Sequence, residues 1–198
     1  MDKFKEEMLE VAAKYRGNVL NEVIYLERII DRYITRHFVG DDPAKEFDLH
    51  VAVLGNNRMT LDAKKQVFEY IAAKYDPIFL TKYKSSRIVN PDQKNNKKEC
   101  KHHNLQSDIA YIITQRNILA HFILDDREEA RKRHIDEVTF VRFRDEEKPF
   151  DFDIHSYNQL MFVIMDVSMY FLQRIESWDT MRPSNSGSGT TSEPSKEP

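Results

Sequence analysis

The chain has 198 residues, of which 40% are hydrophobic and 32% charged, with five Gly, one Cys and a formal net charge of −3. That length suffices for one domain with its own core, and a charge-rich, glycine-poor composition favours long solvated helices over a β-sandwich. The single Cys100 excludes an internal disulfide, and the opening MDKFKEEMLEVAAKYRG has no apolar secretory core. Nor does any stretch approach the roughly 18 apolar residues that a membrane span requires. A cytoplasmic protein with no membrane partner is expected.

The first periodic segment runs from Asp2 to about Phe38, either continuous or broken near Gly17. Val19, Val23, Leu26, Ile30 and Tyr33 recur at helical spacing and predict a core face. A second stripe, Leu20, Ile24, Ile34 and Phe38, is interrupted by Glu27 and Asp31. The next helix follows Thr60, an N-cap with Asp62 in the first turn, and places Leu61, Val67, Phe68, Ile71, Ala72 and Tyr75 inward before Pro77.

Between Lys82 and His103 seven Lys/Arg face two acids, so this segment carries +5 and the remainder −8. It reads either as a solvated connecting loop or as a polyanion contact. A third helix covers about Leu105 to Leu124, with the stripe Leu105, Ile109, Ile112, Arg116, Leu119 and Ile123. Beyond DDREEARKRH, the strings VTFVRFR and FDFDI alternate across Asp145 to Pro149 as a hairpin, with Phe150, Phe152 and Ile154 on one side. The fourth helix opens on a capping-box pattern, Ser156 and Gln159, and is apolar almost all round from Leu160 to Leu172. Such a helix must be covered on more than one face, centrally in a bundle or by a second subunit.

These elements predict an all-α fold: an antiparallel bundle of four to five main helices over residues 1–181, with a small β-hairpin inserted before the last helix. Residues 182–198, RPSNSGSGTTSEPSKEP, contain no aliphatic or aromatic side chain and are expected to form a disordered tail.

The chemistry concentrates in Arg116-Asn117-Ile118-Leu119-Ala120-His121. Asn117 and His121 are four residues apart and share a helix face, and Arg116 projects from the adjoining strip. An arginine on an apolar stripe is costly to bury unless it is paired, so it either meets Glu27 or Asp31 inside the bundle or faces a polar cleft. The string Arg116-Asn117-x-x-x-His121, late in a helix that precedes another long helix, resembles the HEPN (higher eukaryotes and prokaryotes nucleotide-binding) domain family. The acid-bearing NEVIYLERIIDRYI, the second amphipathic helix and the apolar fourth helix occur in the matching order over roughly residues 18–178.

The resemblance implies a metal-independent endoribonuclease acting as a homodimer on single-stranded RNA, in a toxin–antitoxin or phage-defence setting that leaves room for a regulatory or antitoxin partner. It implies catalytic roles for Arg116, Asn117 and His121, with Glu27 and Asp31 as supporting residues, and no cofactor or metal. Lys94, Lys97, Lys98 and Lys101 are then the candidate RNA contacts. Position 123 departs from one subgroup: in HEPN toxins adenylylated by a partner enzyme it is Tyr, and here it is Ile123. Regulation through that tyrosine is not expected. The alternative within the same family is a non-catalytic module that binds nucleotide, RNA or a partner protein. Cys100, His102 and His103, with His37 or His50, match no standard zinc spacing.

Overall fold

The computed structural model describes residues 3–56, 58–87, 103–125, 127, 137–142 and 145–181. It is mostly helical, with a small antiparallel sheet preceding the last helix. The helices are α1 (Lys3–Val39), α2 (Pro43–Leu49), α3 (Leu61–Tyr75), α4 (Pro77–Lys82), α5 (Leu105–His121) and α6 (Ile154–Met181), and a π-helical turn (His50–Leu54) follows α2. The strands β1 (Ile123–Leu124), β2 (Val138–Arg142) and β3 (Asp145–Phe152) pair in that order. The expected tail, and Lys94, Lys97, Lys98, Cys100, Lys101 and His102, lie outside the described residues.

Helix α1 is the spine of the bundle. Its stripe of Val19, Val23, Leu26, Ile30 and Tyr33 is at most 2% exposed, and its most extensive helix contact is with α6. Each fully buried side chain of this kind contributes about 1.5–3 kcal/mol. Of the two readings at Gly17, the continuous helix is the one present. Gly17 is exposed in mid-helix, a Cβ there would meet nothing within 4 Å, and the cost of about 0.5–1 kcal/mol relative to Ala is outweighed by packing on either side. The second stripe is not a core face: Ile34 is buried, but Ile24 and Phe38 are exposed.

Two short helices were not legible as helices. Asp42 caps α2 by accepting from the amides of Ala44 and Lys45, with Pro43 at the first helical position. Pro77, expected only to end the preceding helix, also starts α4. The Thr60 cap on α3 is present, its hydroxyl accepting from the Ala63 amide at 3.3 Å. Tyr75, however, is exposed.

The sheet has three strands rather than two. Ile123 and Leu124, expected in the third main helix, leave it and pair with Val141 and Phe140. Residues 145–149, expected as a turn, extend β3, whose register sets Phe152 opposite Val138 and Phe150 opposite Phe140. Ile154 starts α6 instead of continuing the strand face, because Asp153 caps the helix: its Oδ1 accepts from the Ser156 amide at 2.8 Å. The expected Ser156 cap is displaced by three residues.

Two aromatic clusters bracket the bundle. Tyr15 stacks on Tyr157 at 4.7 Å and meets Phe152 edge-on, joining α1 to the sheet and the start of α6. Tyr33 is surrounded by Phe68, Phe79, Phe171 and Trp178. The outward face of α6 retains exposed apolar side chains, Phe162, Met165 and Met169, at spacings of three and four.

Candidate active site

Helix α5 starts with a complete capping box, in which Asn104 Oδ1 accepts from the Ser107 amide at 2.8 Å and Ser107 Oγ accepts from the Asn104 amide at 2.9 Å. It ends at His121, after which Phe122 is extended and its amide bonds the Ile118 carbonyl. The free Phe122 carbonyl accepts from Arg16 Nη2 on α1, and the same guanidinium lies 4.8 Å from the centroid of the Phe140 ring. Burial lowers the Arg16 pKa from its ordinary value. Arg16 thus ties α1, the sheet and the motif end of α5 together, a role that no sequence spacing announced. Replacing it with Met should retain the apolar stem but leave the carbonyl unpartnered, destabilising the fold by about 1–2 kcal/mol in chemical denaturation.

The last two turns of α5 carry the motif. Asn117 and His121 are exposed and share a face; Arg116 is half-buried, and its Nη1 donates to Asn117 Oδ1 at 3.0 Å. That amide is the one hydrogen-bond partner of Arg116 among the described residues. The sequence stripe placed Arg116 in the core, but the buried positions of α5 are Leu105, Asp108, Ile109, Ile112 and Leu119. Leu119, three residues on, is still buried, whereas Arg116 is half-buried and reaches solvent.

Glu27 and Asp31 do not hold Arg116. Both accept from Lys64 Nζ of α3, at 2.7 and 2.8 Å. Lys64 and Asp31 are buried, at 3% and 4% exposure, while Glu27 is half-buried. Burial pushes the Asp31 carboxyl above its usual range against the opposing pull of Lys64, its Oδ1 lacks a hydrogen-bond partner, and His50 Nδ1 stands 4.0 Å from Oδ2. The expected supporting acids are therefore a structural ion cluster between α1 and α3. Lys64 was missed, although Leu61, Lys64, Phe68 and Ile71 keep helical spacing and would have placed it on the buried stripe.

The stems of the basic segment converge at the opposite end of α5. Asp108 is fully buried and accepts from Tyr83 Oη at 2.9 Å and Arg87 Nη1 at 3.3 Å, and the Arg87 guanidinium lies 4.2 Å from the centroid of the Tyr111 ring. At 1.5 Å rise per residue, this anchor is about 20 Å from His121 along the helix.

Among the described residues no group of three or more His, Cys, Asp or Glu is placed to hold a metal ion, and no helix is long and apolar enough to cross a membrane. No family model, curated protein or solved structure matches the chain.

Proposed function

We propose that the chain is a metal-independent endoribonuclease of the HEPN type, cutting single-stranded RNA with Arg116, Asn117 and His121 from two copies of the chain. The observation that carries the reading is the accessibility of the three groups: a cation, an amide and an imidazole are clustered at the end of α5, and Arg116 is not sequestered by the buried acids, which Lys64 occupies.

RNA cleavage without a metal needs a base for the ribose 2′-hydroxyl, an acid for the departing 5′-oxygen and positive charge at the phosphorane. One imidazole serves one proton transfer at a time. A two-fold arrangement would supply two, with the Arg116 guanidinium on the phosphate and Asn117 orienting it. The apolar outward face of α6 offers surface for a contact between copies.

Purified protein incubated with single-stranded RNA in excess EDTA should give cleavage products, and light scattering should give twice the monomer mass. Complete dependence on added metal would refute the mechanism. Tight binding with no product would leave a non-catalytic RNA-binding module.

A further inference from the structure

At the end of the bundle remote from His121, a cleft of about 340 Å³ opens between α1, α3 and α6. Tyr33, Arg36, His37, Ile71, Tyr75, Asp76 and Trp178 line it. From Arg16, beside the motif, to Tyr33 the spine helix advances 17 residues, or about 25 Å. This site is separate from the one described above.

Its walls are aromatic. Tyr33 and Trp178 have centroids 4.8 Å apart on one side, and His37 and Tyr75 are 4.8 Å apart on the other. Tyr33 is fully buried and forms the floor, whereas Tyr75 is 57% exposed and stands at the mouth. The charged groups among the lining residues are neutralised in pairs: Arg174 grips both oxygens of Asp76 at 2.6 and 2.7 Å, and Arg36 pairs with Asp41; outside the lining, Lys74 Nζ lies 5.0 Å from the centroid of the Tyr75 ring. Burial lowers the His37 pKa, so at neutral pH its ring offers one N–H donor and one acceptor nitrogen. A carboxylate accepts about four hydrogen bonds. Arg174 makes two to Asp76, and Tyr33 Oη adds one at 3.5 Å, so an acceptor position remains.

A small concave site with aromatic walls, no net charge and a few fixed donors and acceptors selects a flat polar ring rather than an ion or an aliphatic chain. We propose that this cleft binds an uncharged planar heteroaromatic ring of nucleobase size, stacked between Trp178 and Tyr75 with its polar edge on His37 and Asp76. Such a ring can arrive as a free nucleoside or as a base of an RNA strand, and the site chemistry is the same for both. The proposal does not depend on the nuclease reading.

Trp178 is the only tryptophan in the chain, so its emission reports on this cleft alone. Titration of the full chain carrying His121→Ala, which keeps any oligonucleotide intact, uses adenosine in one arm and a short oligoadenylate in the other. Saturable quenching below about 1 mM is expected in at least one arm. Saturation by adenosine identifies a free small molecule as sufficient; saturation by the oligonucleotide alone identifies a strand-borne base. Tyr75→Ala should weaken the response at least about tenfold, since it removes a stacking face at an exposed position. Tyr25→Ala, exposed on α1 and outside the cleft, should leave it unchanged. Absence of saturation in both arms, or equal weakening by the two variants, would overturn the proposal. Neither result would bear on RNA cleavage at the other end of the bundle.

Discussion

His121→Ala should reduce RNA cleavage in EDTA by about 10²–10⁴-fold, the range that a positioned proton-transfer group contributes. The side chain is exposed at the last residue of α5 and makes no hydrogen bond or ion pair among the described residues, so its removal leaves packing intact. Unfolding midpoint and oligomeric mass should therefore match those of the unmodified chain, which separates lost chemistry from lost structure. Arg116→Ala should have a comparable effect on rate, because among the described residues that guanidinium is the one basic group bonded to Asn117. Cleavage that persists at full rate in His121→Ala would move the active site elsewhere or assign the products to a contaminant.

Lys64→Met should destabilise the fold by about 3–5 kcal/mol at neutral pH, because it strands a buried carboxylate. Asp31 is already pushed up by burial, and Lys64 is the main group opposing that rise. Without it the folded-state pKa rises further. A carboxyl whose folded pKa lies above its unfolded value favours folding most at low pH and loses that contribution as pH climbs through the folded value. The deficit of Lys64→Met should thus be largest near pH 7 and shrink on acidification toward about pH 4. The double variant Lys64→Met, Asp31→Leu should recover most of the loss at neutral pH, since a buried ion pair is replaceable by apolar side chains of similar volume. Urea unfolding at the two pH values measures both effects, and a deficit independent of pH would show that the stranded carboxylate is not its source.

The α1 stripe, the Thr60 cap, the mostly helical fold and the β insertion before the last helix were legible because period and capping chemistry are local. The errors share a physical cause: a local pattern does not say where the core ends. Arg116 fits the spacing of a buried stripe and lies between the buried Ile112 and Leu119, but among the described residues no acid meets its guanidinium and it stays half-exposed. Lys64 fits an equally good stripe and is buried, because Asp31 and Glu27 on another helix meet it. Only the tertiary arrangement separates the two. The capping-box pattern pointed to Ser156, but Asp153 caps the helix, because the choice depends on where β3 releases the chain. Arg16 had no signal, since its acceptor is a backbone carbonyl 106 residues away.

The pairing of α1 with α6 has a consequence for synthesis. The two helices are separated by more than 100 residues, so the main face of α1 stays bare until the final helix is made. At 5–20 residues per second, a ribosome needs about 1.5–6 s to add those 28 residues. Through that interval the side of α1 that meets α6 is uncovered and Tyr33 lacks its Phe171 and Trp178 neighbours, leaving apolar surface suited to chaperone capture, and any truncation before residue 154 would make that exposure permanent.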